Sequence, residues 1–444
     1  MNCFDINYRT VNPLRLVSLG LGFLFLLSCS GPTPLEYALK SAGDNRPELE
    51  RVLAHYESDS LKYKAARFLI ENMVYHSHYS GEELEIRKQF YKYLAEVNRP
   101  AGVIRDSLAY EVRRKNLDGV VLKKDIEVVG FDYLVDNIEW AFKVREEQPW
   151  GKNIPFEAFC EYVLPYRLGD EDLSYWREEI YHLYNPLLDS IRNLPQAEDP
   201  LFAAQTLIDS LRKTPIHFVT STTYPYRVGP ELAKWQSGTC LEITDAATYI
   251  FRALGLSCSA DMMLLRGDGN VAHYWNYTSD SEGKPYYFSL AYAPEEFLPA
   301  KEYPQVLGKV YRETFSHNAH LAIPEKERTD VHPQFRSPKL IDVTAQYAPT
   351  ELSLRFPIDS LSRLLGNGEV AYLCQASFRN WQPVAVAQYQ NKQLLFTDVV
   401  SNVAYVIAIY QDGVTRVISD PFYVDEDAVL HHYTPTEEKS EIVL

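Results

Sequence analysis

The chain has 444 residues, a mass of 51.1 kDa and a formal net charge of −16 at pH 7. A nucleic-acid-binding surface needs clustered cations, so this charge argues against a general DNA or RNA binder. Hydrophobic residues make up 46% and charged residues 23%, which are globular values and exclude a mostly disordered chain. At roughly 150 residues per domain, the length predicts two or three domains.

The N-terminus predicts export and lipid attachment. Residues 16–27 are apolar and follow Arg9 and Arg15. A membrane-spanning helix needs about 20 apolar residues, so this shorter run fits the apolar part of a signal peptide. The Leu-Leu-Ser-Cys sequence that ends at Cys29 resembles a bacterial lipobox, which implies cleavage before Cys29 and its lipidation. We therefore assign residues 1–28 to a lipoprotein signal peptide, and expect a lipid-anchored protein of the cell envelope, in the outer membrane.

Cysteine spacing gives no sign of a metal or redox centre. The cysteines after the lipidation site are Cys160, Cys240, Cys258 and Cys374, and none forms a CxxC pair. Both free thiols and one disulfide among these four are compatible with the sequence. We expect neither a metal nor another cofactor.

Residues 29–215 are predicted to form a helical N-terminal region. An Asp-Asn pair before Pro47 is a helix-start signal. Residues 61–73 place apolar side chains three to four positions apart, as an amphipathic helix does, and residues 134–142 do the same. Cys160 falls on the apolar face of a further helix, which predicts that it packs in the core.

The remaining chain predicts an α+β fold. Residues 216–345 combine one helix with short strands and are interpreted as an α+β core. Residues 346–444 contain several short runs of alternating or apolar character, separated by turn signals at Asn391 and at Asp412-Gly413. These features predict a C-terminal β-sandwich of about a hundred residues.

The motif that points to chemistry surrounds Cys240. Thr239 followed three residues later by Glu242 is a capping box, which places Cys240 in the first turn of a helix that Gly255 should end. A cysteine there lies near the positive end of the helix dipole. We therefore expect its pKa to be lowered from about 8.5. Gly238 would let the chain bend sharply before the helix.

A candidate base follows on a predicted strand. In residues 271–277, a period of two places His273 and Trp275 on one face. An antiparallel sheet packed on the helix would bring His273 to the helix start. A cysteine beside an imidazole is the nucleophile–base pair of thiol acyl transfer. Trp235 and Gln236, just before the helix, are candidates for the pocket wall or an oxyanion donor, with structural packing preferred.

Together these motifs resemble the transglutaminase-like superfamily, whose fold is papain-like. The matching residues are the Gly-Thr-Cys sequence at Cys240, the helix end at residues 251–256, and His273-x-Trp275. The chain is also similar to transglutaminase-like lipoproteins of the Bacteroidetes type, which place such a core between a helical region and a β-domain. This resemblance covers most of the mature chain. It implies that Cys240 is the nucleophile and that His273 is the general base and acid.

One position departs from the superfamily pattern. The superfamily usually has an Asp about 15 residues after the His, which orients the imidazole. Here that place falls in residues 287–290, where Ser289 is present and no carboxylate is found. The third member of the triad is therefore unknown, with Ser289 near the expected position and Glu295 in the following loop as an alternative. Loss of an orienting acid can cost several orders of magnitude in rate.

Two functions fit these residues. The first is a lipid-anchored thiol enzyme that cleaves or transfers the acyl groups of protein or glycopeptide amides through Cys240 and His273. Hydrolysis is preferred over transfer, because water is abundant and no amine site is evident. The second is a catalytically degenerate transglutaminase-like module that binds glycan or protein, which the missing Asp favours.

Overall fold

The computed structural model describes residues 32–96, 119–219, 227–269, 272–291, 297–304, 306–318, 331–336, 339–348, 352–357, 365, 369–391 and 393–433. The predicted signal peptide with Cys29 lies outside these ranges, and so does Glu295. The described residues form a mixture of helices and antiparallel sheets, so the α+β class is confirmed. Across these ranges, no helix has the length and apolar character to cross a membrane.

Helices dominate the chain before residue 216. They are α1 (Pro34–Ser41), α2 (Arg46–His55), α3 (Ser60–Met73), α4 (Glu83–Glu96), α5 (Asp125–Val128), α6 (Phe131–Glu147), α7 (Phe156–Tyr162), α8 (Arg177–Tyr184) and α9 (Pro200–Leu211). An antiparallel pair, β1 (Ser77–Ser80) and β2 (Val121–Lys124), precedes α5. Pro47 lies in the first turn of α2, and α3 buries Ala65 and Leu69 of the predicted apolar face, whereas Leu61 is exposed.

Most of these helices contribute to two separate apolar cores. The first joins α1, α2, α3, α6 and α7 and contains Leu69, Ile138 and Phe159. The second joins α8 and α9 to a later helix, α11 (Cys240–Ala253), through residues such as Leu207 and Ile250. Residues 177–211 therefore support the helix that carries Cys240, although the sequence grouped them with the N-terminal region.

A six-stranded antiparallel sheet follows α11. Its strands are β5 (Ser259–Met263), β6 (His273–Ser279), β7 (Pro285–Phe288), β8 (Phe297–Pro299), β9 (Val310–Glu313) and β10 (Leu340–Asp342), in the order β10-β9-β5-β6-β7-β8. Short elements surround it: β3 (His217–Phe218), α10 (Leu232–Trp235), β4 (Ser237–Gly238) and α12 (Thr344–Tyr347). β3 and β4 pair in parallel directly before α11 and hold the helix start.

Alternate residues of β6 point to opposite faces of this sheet. Asn276 donates to the Thr244 carbonyl (2.9 Å) and to the Thr248 hydroxyl (3.0 Å), so its face packs on α11. Trp275 donates its indole N–H to the hydroxyl of Tyr347 (2.9 Å), on the other face. The sheet therefore packs on the helix as predicted, and β6 runs along it.

The C-terminal residues form two further sheets. The larger contains β12 (Val370–Ala376), β13 (Trp381–Gln388), β15 (Tyr405–Gln411), β16 (Val414–Val417), β17 (Phe422–Val424) and β18 (Leu430–His432). The smaller pairs β11 (Leu354–Pro357) with β14 (Gln393–Phe396), and residues of both sheets share one apolar core. The predicted turns lie at Asn391 and Asp412, both with positive φ. Val370 and Tyr372 also pack on Met262 of the central sheet.

Candidate active site

The start of α11 has the predicted capping box. The Thr239 hydroxyl accepts from the Leu241 N–H (3.3 Å), and the Glu242 carboxylate accepts from the Thr239 N–H (2.9 Å). The Thr239 hydroxyl also donates to Glu242 (2.6 Å). Cys240 is the first residue of the helix and is partly buried. The sequence therefore located the thiol correctly at a helix N-terminus.

Gly238 is required for this arrangement. Its φ is +134°, a conformation that side-chain-bearing residues rarely adopt. A Cβ at this position would lie 2.4 Å from the Cβ of Glu242, within the capping box itself. Gly238 therefore permits both the bend and the close packing of Glu242 beneath it.

A tyrosine from the N-terminal helices supports the same carboxylate. Tyr91 of α4 donates its hydroxyl to Glu242 (2.8 Å) and accepts, at its backbone carbonyl, a hydrogen bond from the Ser237 hydroxyl (2.7 Å). Tyr91 is 1% exposed. It lies almost 150 residues before the motif, so no local sequence signal could identify it.

The thiol of Cys240 lies beside the strand that carries His273. The backbone N–H of Tyr274, which belongs to the peptide bond between His273 and Tyr274, lies beside Cys240 Sγ and acts to lower the pKa of the thiol. Burial raises the pKa of Cys240, and the negative charge of Glu242 adds to this, whereas the N–H groups of Tyr274, Leu241 and Cys240 itself act in the opposite direction. The prediction of a lowered pKa is wrong, because desolvation of the thiolate outweighs the helix N-terminus.

His273 is the first residue of β6 and is only 7% exposed. Alternation places its side chain on the face that carries Trp275, and the two ring centroids are 5.6 Å apart. Burial, together with the positive charge of Arg266, lowers the pKa of His273 to about 4. The imidazole is therefore neutral at pH 7.

Cys240 and His273 thus rest as a neutral thiol and a neutral imidazole on neighbouring parts of the fold. The His273 ring lies on the Trp275 face of β6, and the Cys240 thiol lies beside the backbone of Tyr274. At the expected third position, the Ser289 hydroxyl accepts from the Ala291 N–H (3.2 Å). Glu295 lies outside the described residues, so its proposed approach to His273 stays a prediction.

A buried charge cluster lies on the helix side of β6. Arg227 forms ion pairs with Asp245 of α11 and with Glu313 of β9. Burial raises the pKa of Asp245 well above its ordinary value, although Arg227 opposes this shift. Glu313, Arg227 and Cys240 are all electrostatic neighbours of the Tyr274 phenol. No sequence motif identifies this cluster, because its members come from distant segments.

The two residues before the motif have structural partners. The Gln236 amide donates to the Tyr184 hydroxyl (3.0 Å), and its carbonyl oxygen accepts from Thr214 (3.1 Å). The backbone of Gln236 adopts the left-handed conformation, with φ of 43°, and this ends α10 just before the motif. Trp235 packs against the apolar group formed by α4, α10 and α11. These contacts favour the packing role over that of an oxyanion donor.

The cysteines of the described residues are all free thiols. Cys160, Cys258 and Cys374 are buried, and burial raises the pKa of each to about 12. Cys240 is the exception, since it is partly exposed. In the same ranges, no three His, Cys, Asp or Glu side chains form a group that could hold a metal ion.

Comparison of the chain with family models, with curated proteins and with solved structures gave no match.

Proposed function

We propose that the chain is a lipid-anchored, transglutaminase-like thiol enzyme that acts on amide bonds of proteins or glycopeptides in the cell envelope. The observation that carries the proposal is the contact between Cys240 Sγ and the peptide N–H that follows His273. It supports a papain-like arrangement, in which a helix-start cysteine meets the strand that bears a histidine. The anchor is the predicted lipid on Cys29.

The reaction would begin from the neutral pair. Sγ of Cys240 forms a bond to the amide carbonyl carbon while the thiol proton passes to the imidazole of His273. The C–N bond then breaks, and the imidazolium returns this proton to the leaving amine. Water attacks the resulting thioester, gives a proton to His273 and releases the acid and the thiol. The Cys240 N–H, one of the helix-start donors, would stabilise the oxyanion.

This mechanism requires the His273 ring to approach the thiol. Because His273 is the first residue of β6, its side chain is at the end of the strand, and rotation about χ1 moves the ring over that end. Its neutral state at pH 7 suits a general base. The enzyme therefore needs this rotation to occur in the free protein, before any substrate binds.

A second function, a binding module that retains the fold without the chemistry, is favoured by a different observation. The pKa of Cys240 is raised and that of His273 is lowered, so the thiolate–imidazolium pair of an active thiol enzyme is disfavoured. In such a module, Cys240 would be a packing residue, and the protein would bind protein or glycan without turnover.

One experiment separates the two functions. The chain from Ser30 onward is treated with iodoacetamide at pH 7, and alkylation of each cysteine is followed by mass spectrometry in wild type and in His273→Ala. For the enzyme, we expect His273→Ala to slow Cys240 alkylation at least tenfold, because the imidazole takes the thiol proton. Cys160, Cys258 and Cys374 are internal references. Equal Cys240 rates in the two proteins would exclude the enzyme and support the binding module.

A further inference from the structure

A second candidate site lies on the C-terminal sheet. A cavity of about 630 Å³ extends from the start of β13 to the β15–β16 turn and β16, and the short turn at residues 332–335 borders it. This volume is within the range of about 300 to 1,000 Å³ that is typical of small-molecule sites. None of its lining residues belongs to the capping box, to β6 or to the buried charge cluster.

The lining of this cavity carries no formal charge, although the chain as a whole has a net charge of −16. Its polar members are amides, a hydroxyl, an indole and an imidazole: Gln334, Asn380, Gln382, Thr415, Trp381 and His332. Burial lowers the pKa of His332, with a smaller effect from Arg336, so this ring is also neutral at pH 7. Arg336 itself donates to the backbone carbonyl of Val331 (2.9 Å).

Several of these polar groups are already held in position. Gln382 donates to the Leu264 carbonyl (3.2 Å), and the Asn380 side-chain oxygen accepts from Ser377 (2.9 Å). Nδ1 of His332 accepts from the Gln334 N–H (3.4 Å), which leaves the proton of the neutral ring on Nε2. Such pre-oriented donors and acceptors reduce the entropy that binding costs.

Trp381 adds an aromatic surface. It is partly buried against the core between the two large sheets, and it also lines the cavity. Its indole N–H forms no hydrogen bond with any described residue. A sugar ring has an apolar C–H face that packs on an aromatic ring through dispersion, and hydroxyl groups around its edge that exchange hydrogen bonds with amides.

We infer that this cavity binds a neutral glycan, with Trp381 against a sugar face and with the surrounding amides and Thr415 bonded to hydroxyl groups. A charged ligand would lose its hydration without gaining an ion pair from the lining. The site is separate from Cys240, so its ligand does not depend on whether Cys240 is a nucleophile.

Affinity gel electrophoresis tests the inference. The chain from Ser30 onward, which contains every described residue, is run in gels with starch, mannan, xylan, β-1,3-glucan or galactan, and in one with the anionic polymer polygalacturonate. We expect at least one neutral polymer to retard the wild type and polygalacturonate to have no effect. Trp381→Ala should weaken that retardation at least tenfold, and Cys240→Ser should leave it unchanged.

Two further variants control for folding and position. Thr415→Val is nearly isosteric and suits a strand, so it keeps the sheet and should weaken retardation roughly threefold through one lost hydrogen bond. Tyr433→Ala removes a half-exposed aromatic ring of the same C-terminal region outside the cavity, and should have no effect. The inference is overturned if no neutral polymer retards the wild type, if only polygalacturonate does, or if both cavity variants behave like the wild type.

Discussion

Cys240 Sγ lies beside the backbone N–H of Tyr274, and this contact joins the start of α11 to the start of β6. The neighbouring residue, Glu242, accepts hydrogen bonds from Thr239 and Tyr91 while it raises the pKa of the thiol. Burial is the main reason that the thiol stays protonated, and the carboxylate that organises the helix start adds to it. Structure and reactivity at this site are coupled through one side chain.

Glu242→Gln should make Cys240 more reactive. The amide can still complete a capping box, but it removes the negative charge that disfavours the thiolate. We expect alkylation at pH 7 to become roughly fivefold faster, which corresponds to about 1 kcal/mol of lost repulsion. Mass spectrometry of the alkylated protein gives the rate. Tyr91→Phe keeps the charge and should not accelerate the reaction; an unchanged rate in Glu242→Gln would contradict this role.

His273 should make folding stability depend on pH. Its folded-state pKa, about 4, is below the ordinary value of 6.5, so the unfolded chain binds a proton first as pH falls. The contribution of His273 to the free energy of unfolding is therefore fully present above pH 6.5. It is lost between pH 6.5 and pH 4, by up to about 3 kcal/mol.

Urea unfolding of wild type and His273→Gln at pH 7.5 and 4.5 measures this contribution. The variant should show a smaller loss between the two pH values. Burial also lowers the pKa of His76, which contributes with the same sign, so only the difference between the two proteins is diagnostic. An identical loss in both proteins would show that His273 is not desolvated.

Gly238→Ala should destabilise the helix start. The substitution forces a side chain into a positive-φ conformation and places its Cβ against Glu242. We expect a loss of about 3 kcal/mol in the free energy of unfolding, measured in urea. Gly283 is the matched control, because its φ is +85° and a Cβ there would have no other atom within 4 Å. Gly283→Ala should cost only about 1 kcal/mol, and equal losses would argue against the steric role of Glu242.

Arg227→Met should leave Asp245 and Glu313 without their shared cation. Removal of one partner from a buried ion pair typically costs about 3–5 kcal/mol, so we expect a loss of about 4 kcal/mol at pH 8. The loss should shrink at pH 5, because the pKa of Asp245 is already raised and its protonation removes the unpaired charge. Urea unfolding at both pH values measures this.

The exposed Arg46–Glu50 pair provides the control for this prediction. Arg46→Met should change the free energy of unfolding by less than about 0.5 kcal/mol at either pH, because solvent screens the pair. If Arg227→Met cost no more than Arg46→Met, the cluster beside β6 would not contribute to stability.

Structural features that depend on residues close together in the sequence could be predicted. The capping box, the strands that follow α11 and the turn at Asp412-Gly413 depend on residues only a few positions apart, and all appear in the structure. The pairing of Cys240 with β6 also followed from the simple expectation that a helix packs on the sheet beside it. The predicted direction of the Cys240 pKa shift was wrong. The helix dipole can be inferred from neighbouring residues, whereas burial of the thiol depends on the tertiary packing.

No local sequence pattern predicted the roles of Tyr91, Arg227 and residues 177–211. Each depends on a contact with α11 or its neighbours from a segment far away in the chain. The face to which His273 points was likewise decided by which side of β6 meets the helix. Short-range hydrogen bonding and side-chain periodicity thus specify the elements and the position of the thiol at a helix start. Long-range packing, which sets desolvation and places charges, decides whether that thiol is reactive.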